Sequence, residues 1–458
     1  MNRRLAISTA AAALTALLAG ALPATVVAKT PDFVPGQVLV KFEGQRLSRE
    51  VPLPPRVGVR QAAAALRRSP RVAYAVPNYI ATASAAPVEP AFTLPDDTGT
   101  LDTPPFVLGG WVAKQWNFLP WEDASGVPTS PGGIDATGAW ENLAAAGRPG
   151  AKGIVVAVLD TGVAYRFKGG RFVRSPDFAS NQFVKGYDFV ADNAVPLDHN
   201  GHGTHVAGTI AEKTNNAIAM TGLAYRAKLM PVRVLDRHGI GRAGEIAKGI
   251  RFAVDHGAQV INMSFNFGCG DQVPDVEAAV RQAFAKGVVT VASIGNSGPK
   301  GEACVSAPAT LPHVIGVGGT TEGGCLGDYA LFGEDIDVVA PGGGTPLVGC
   351  PSVAAGPIYQ VTLKAHSTRE FVIPSRYVGT SMAAAHVSGV AAMILAGGLI
   401  PAKVTPKGVV REVTRRLKTT ARSLGLATTQ QGAGLIDAEL ATDPAFQPAS
   451  PPPTSSAR

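Results

Sequence analysis

The spacing of apolar and polar residues changes character twice along this chain. Residues 36–42 alternate apolar and polar and predict a strand. Residues 61–68 predict a helix, and 71–79 predict a second strand closed by a turn. A small α+β module over 29–83 follows from that order. The stretch 84–110 is rich in Ala, Pro, Thr and Asp without a sustained period, and reads as a linker open to proteolysis. From 111 to 443 the pattern becomes continuous apolar runs at 154–159, 229–235, 259–263, 288–293 and 314–317, with helical runs such as 244–256 and 275–286 between several of them. Such alternation predicts an α/β domain with a mainly parallel sheet covered by helices on both faces. In such sheets functional groups gather where strands end, and the first run ends in Asp160. The Pro/Ser-rich tail, 444–458, is expected to be disordered.

Composition supports a packed core: 46% of the 458 residues are hydrophobic and only 16% charged, which excludes global disorder. The net charge of +7 suggests a polyanion partner until it is located. Residues 1–83 hold eleven Lys/Arg against three Asp/Glu, leaving 30 basic and 31 acidic residues in the remainder. No nucleic-acid surface is expected. Residues 1–28 carry Arg3 and Arg4, an apolar stretch over 5–22 and small residues ending at Ala28, the layout of a Sec-type signal peptide. The chain is therefore expected to be secreted. Alanine content and Pro23 argue against an uncleaved anchor, and no later stretch is long and apolar enough to span a bilayer, so no membrane anchor is expected.

Three glycine-flanked stretches carry the candidate chemistry: Asp160-Thr161-Gly162, His202-Gly203-Thr204-His205 and Gly379-Thr380-Ser381-Met382. An acid, an imidazole and a hydroxyl in that order are the parts of a nucleophilic charge relay. Each has a simpler explanation alone. Ser381 precedes a helical run and reads equally as an N-cap. Asp160-Thr161-Gly162 with Asp97-Thr98-Gly99 formally supplies the paired aspartates of an aspartic protease. The second copy, however, lies in the linker and follows no apolar strand. Gly239-Ile240-Gly241-Arg242-Ala243-Gly244 matches a dinucleotide fingerprint, but the acid required about twenty residues on is missing, since Asp255 comes too early. Four cysteines in an exported chain favour disulfides in one of three pairings. Cys269–Cys304 with Cys325–Cys350 is favoured, each tying a loop near the proposed site. The absence of a Cys-x-x-Cys spacing argues against zinc.

Taken together, the three motifs resemble the subtilisin-like serine peptidases, or subtilases, over about 111–443. The resemblance implies the subtilisin-like three-layer fold, with Asp160 as the acid, His202 as the base, Ser381 as the nucleophile and Asn296 as the oxyanion-binding amide; His205 would be structural. It implies that Gly239, Ile240 and Gly241, with Ser264, Phe265 and Asn266, form the two edges that pair with an extended peptide. Ser306 would floor the first specificity pocket beside a cis bond at Pro308, favouring apolar or mixed side chains. A structural Ca²⁺ would take oxygen ligands from Gln115, Asp177, Thr214, Asn216, Ile218 and Met220. The 29–83 module resembles an inhibitor-type propeptide that assists folding and blocks the site. Three departures stand out: Ala385 in place of a usual proline, Asn266 in place of a common glycine, which narrows a pocket, and a long 344–377 stretch without an assigned role. The expected protein is a secreted, monomeric serine endopeptidase zymogen that acts on proteins or peptides. A silent peptide-binding protein on the same fold would need a lesion at one of these four positions, and none is present. A nucleotide-dependent oxidoreductase would need the fingerprint that is incomplete.

Overall fold

The structure is a computed structural model that describes residues 33–45, 49–79, 94–101, 109–122, 127–296, 304–347, 349–350 and 355–446. The expected signal peptide lies outside these residues. The chain divides into two compact units at Val88/Glu89.

In the first unit β1 (Phe33–Phe42) is flanked by β2 (Arg49–Pro52) and β3 (Val72–Tyr79), both antiparallel to it. Helix α1 (Val59–Leu66) buries Val59, Ala62 and Ala63, one stripe at helical spacing, in a core with Val38, Val40, Val72 and Ala75. The short, largely exposed β2 has too few apolar positions to announce itself in the sequence.

The second unit begins with α2 (Ala136–Ala145), then β4 (Val155–Asp160), β5 (Tyr187–Asp188), α3 (His202–Ala211), β6 (Lys228–Arg233), α4 (Ala243–Asp255), β7 (Val260–Met263), α5 (Pro274–Lys286), β8 (Val289–Ser293), β9 (Val314–Thr320) and β10 (Val338–Pro341). After a small β11 (Thr362–Leu363) and β12 (Phe371–Val372) hairpin come α6 (Thr380–Ala396) and α7 (Pro406–Thr420). Seven strands form one parallel sheet in the order β10-β9-β8-β7-β4-β6-β5. Helices α3 and α6 pack together on the sheet, while α4 and α5 pack on each other and on it. This is an α/β three-layer fold. Nearly every strand residue is buried, because parallel strands covered on both faces need apolar side chains on both. The chain leaves β4 toward β5 and β6 on one side and leaves its neighbour β7 toward β8 on the other, so the two connections part and open a crevice at the carboxyl ends of β4 and β7. Helix α6 crosses beneath the sheet buried on all sides, with alanines, Gly389 and Ser388 allowing close approach.

Two expected boundaries change. Within the expected linker, Leu94–Leu101 belongs to the second unit, where Asp97 is fully buried. Within the expected disordered tail, residues 444–446 are docked: Arg416 donates to the carbonyls of Ala441 and Phe446 and its guanidinium lies over the Phe446 ring. Neither segment has a hydrophobic period; what holds each is polar bonding to distant residues.

Candidate active site

Asp160 is the last residue of β4 and fully buried. Its Oδ1 accepts from the Thr161 N–H at 2.7 Å, and His202 Nδ1 donates to Oδ1 and Oδ2 at 2.8 and 3.0 Å. His202 opens α3, whose first turn must lie against the end of β4. Gly203 makes that approach possible, since a Cβ there would collide with the Gly162 carbonyl oxygen. The α3 N-terminus has no capping side chain at Gly201. Asp198 serves instead, accepting from the N–H groups of Asn200, Gly201 and Thr204 and from the Thr161 and Thr204 hydroxyls. Burial pulls the His202 pKa down, but the Asp160 charge and hydrogen bond, with help from Asp198, outweigh it and leave it raised.

His205, one turn further, is buried and donates from Nε2 to the Ile358 carbonyl at 2.9 Å, and burial lowers its pKa to about 3. The Tyr377 ring stacks on it at 4.1 Å and lies 6.5 Å from the His202 ring. Thr362 Oγ1 donates to the Gly201 carbonyl. The late part of the 344–377 stretch therefore packs behind the imidazole helix.

Ser381 is the second residue of α6. Its Oγ donates to the Ser264 carbonyl at 3.1 Å, and among the described residues no hydrogen bond joins it to His202. Ser264 Oγ in turn donates to the Ser381 carbonyl at 2.8 Å and accepts from Asn262 Nδ2, while Asn262 Oδ1 accepts from Ser388 Oγ. This buried chain fixes the start of α6 against the end of β7. Asn296 follows β8 and is pinned by its oxygen, which accepts from the Thr380 N–H and hydroxyl at 2.9 and 3.1 Å. Its Nδ2 is left to donate. Gly379 has φ +126°, and a Cβ there would stand 3.0 Å from Asn296 Nδ2, so this turn requires glycine.

The two expected substrate edges lie at the open ends of the strands. Ile240 is 67% exposed, and Asp236 and Ile240 are joined through the Asp236 N–H. Ser264 and Phe265 are buried, whereas Asn266 is exposed and bonded across to β8. Ser306 is buried, and the Ala307–Pro308 bond is cis. Both disulfides, Cys269–Cys304 and Cys325–Cys350, are formed.

The residues expected around a metal ion do converge. Gln115 brackets Thr221 through both amide atoms, Thr214 bonds to Thr221, and Asp177 accepts from Asn216 Nδ2 and the Met220 N–H. Asn216 Oδ1 accepts from the Ile218 N–H. Asn215, Ala217 and Ala219 all have positive φ, alternating with the expected ligands. Among the described residues no cluster of three or more His, Cys, Asp or Glu has metal-holding geometry. Asp97, dismissed in the sequence as half of a false motif, accepts from the Asn215 and Asn216 N–H groups, and Asp96 accepts from that of Ala217. Burial pushes the Asp97 carboxyl up to about 7 against the pull of those N–H groups. Asp97 carries no sequence signal; Asp198 does, as an Asp four residues ahead of a helix that lacks its own cap.

Comparison with known proteins places the second unit within a family. The Subtilase family profile matches residues 151–435. A thermophilic serine proteinase of Bacillus sp. (strain AK1) is 38% identical over 249 residues, 54% of this chain and 54% of that protein. The chain thus spans about half the length of that relative. Subtilisin Savinase of Lederbergia lenta is 35% identical over 290 residues, 63% of this chain and 91% of that protein. A solved protease structure from Pseudoalteromonas arctica superposes with a TM-score of 0.59 at 29% identity, covering 76% of this chain and 99% of that one. With a profile match over more than half its length, on a fold that carries Asp160 and Asn296 after strands and His202 and Ser381 at helix starts, the chain belongs to the subtilase family.

Proposed function

We propose that this protein is a secreted serine endopeptidase, made as a zymogen, that hydrolyses peptide bonds of proteins through Asp160, His202 and Ser381. The observation that carries the reading is the contact of buried Asp160 with half-buried His202 at 2.8 Å, at a crevice whose other side is the α6 N-terminus with Asn296 pinned to it. Asp160 holds the imidazole with Nδ1–H inward, which leaves Nε2 as the base. Ser381 Oγ turns from the Ser264 carbonyl toward Nε2, gives up its proton and forms a bond to the substrate carbonyl carbon. The resulting oxyanion receives hydrogen bonds from Asn296 Nδ2 and the Ser381 N–H. His202 then returns the proton to the leaving amine, and water repeats the sequence on the acyl-enzyme.

The extended substrate lies between 239–241 and 264–266 as an added strand. The 29–83 module acts as the intramolecular inhibitor until the connecting segment is cut. A bound Ca²⁺ would supply charge balance and rigidity, not chemistry. The donor set fits it: hard oxygens of Gln115, Asp177 and Asn216, with the carbonyls of Thr214, Ile218 and Met220. Two buried carboxylates, Asp97 and Asp177, and three strained non-glycine residues at the loop favour a cation there.

A serine-directed fluorophosphonate distinguishes this reading from a silent peptide-binding protein, for which the Ser381–Ser264 bond would be the permanent state. Mass spectrometry is expected to find the label on Ser381, and Ser381→Ala is expected to abolish both label and proteolysis. Label elsewhere, or proteolysis that survives the substitution, would falsify the mechanism.

A further inference from the structure

The peptide carbonyl that Ser381 attacks has its carbon at Ser381 Oγ and its oxygen at Asn296 Nδ2. The side chain of that same residue must leave between the two segments that flank these atoms. One runs from Ser264 at the end of β7, whose carbonyl accepts from the Ser381 hydroxyl. The other is Ile294–Asn296 at the end of β8. The two strands are hydrogen-bonded neighbours in parallel register, so the gap between their continuations is about one inter-strand spacing wide before they diverge.

That gap is occupied. Asn266 Nδ2 donates to the Ser293 carbonyl at 2.6 Å, and Ser293 Oγ donates back to Asn266 Oδ1 at 3.0 Å. The amide carbon also lies 3.6 Å from the point where a Cβ on Gly295 would stand. Ser293 is fully buried and Asn266 is exposed, so the amide forms the solvent-facing floor between the two segments. Ser306, the floor expected from the sequence, is buried. A bulky side chain could enter only by breaking both bonds of the Asn266 amide and leaving the buried Ser293 groups without those partners.

We propose that Asn266 closes the first specificity pocket and restricts cleavage to peptide bonds after small side chains, namely Gly, Ala and Ser. The proposal rests on the serine endopeptidase reading of the same site. It concerns the side chain at this position and not the pocket's location: without a side chain at residue 266 the gap stays open to large apolar residues.

The test uses the mature enzyme and a series of chromogenic tetrapeptide anilides that differ only in the residue before the scissile bond: Gly, Ala, Val, Leu or Phe. A separate sample of each preparation is titrated with fluorophosphonate so that rates refer to the concentration of reactive Ser381. The native enzyme is expected to turn over the Ala peptide with kcat/KM on the order of 100-fold above the Phe peptide. Asn266→Gly is expected to collapse or invert that ratio, with Asn266→Ser intermediate and serving as the second variant should the glycine form fold poorly. Native enzyme that takes Phe or Leu as readily as Ala overturns the proposal. So does a ratio that neither variant changes when both are folded and take the label in the titration sample. A native preparation that takes no label at Ser381 overturns the underlying reading of the site, a different result from full labelling with a flat profile.

Discussion

Asn296 illustrates how constraints on a single side chain leave it one free donor. Its oxygen is committed to Thr380, so only the Nδ2 donor remains, and Gly379 leaves room for it. Asn296→Ala is expected to lower kcat by about 10²–10³-fold with little change in KM, the range established for removing such a donor in a subtilisin. His202 makes a second residue-scale prediction. The proposed mechanism needs its neutral form, and its pKa is raised, so the acid limb of kcat/KM should lie above pH 6.5. Asp160→Asn removes the raising charge, lets burial dominate and moves the limb of the residual activity downward, which a pH–rate profile checks. Stability responds in the opposite sense at other histidines. The raised His202 stabilises the fold below pH 6.5 and loses that contribution as pH rises through its folded pKa. His205 and His386 are buried neutral, with pKa values lowered to about 3 and 4, so their contribution is present above 6.5 and fades as pH falls toward those values.

At the scale of elements, α3 depends on a cap outside itself. Asp198 satisfies three backbone N–H groups and two hydroxyls around the His202 turn. Asp198→Ala is expected to cost about 3 kcal/mol, since several donors lose a charged acceptor at once. It should also lower kcat through a misplaced imidazole; unchanged urea stability would reject the capping role. The Asn262–Ser264–Ser381–Ser388 chain does similar work between β7 and α6. Polar bonds of this kind give a unique register that small apolar side chains on a closely packed helix cannot specify by themselves.

The whole second unit is closed by a segment far upstream of its family core. Leu94–Leu101 lies on the 214–220 loop through Asp96, Asp97, Thr98 and Gly99, and Trp111 Nε1 donates to the Pro95 carbonyl. Asp97→Ala is expected to lower the melting temperature by a few degrees and to weaken the loop's grip on calcium. The measurement is thermal unfolding with excess calcium or with EDTA. Calcium at 100 times its dissociation constant should add about 2.7 kcal/mol to the native form, and the variant should show a smaller difference between the two conditions. Equal melting curves for native protein in both media would reject the calcium site.

Runs of apolar residues determined the five central strands of the sheet, β4 and β6 to β9, but not the short edge strands β5 and β10, and their alternation with helical periods determined a parallel, doubly covered sheet, because burying both faces leaves no other composition for the central strands. The positions of Asp160, His202, Asn296 and Ser381 were legible for the same reason: each sits where a strong periodic signal starts or stops. Tertiary structure decided what periodicity cannot express. Polar residues such as Asp97, Asp198, Thr362 and Arg416 found partners far away in sequence. Asn266 was visible as a residue where glycine is common, yet only the neighbouring β8 decided that its amide is held across the cleft. A hydrogen bond between distant segments depends on where the packed strands bring them, and no local pattern encodes that distance.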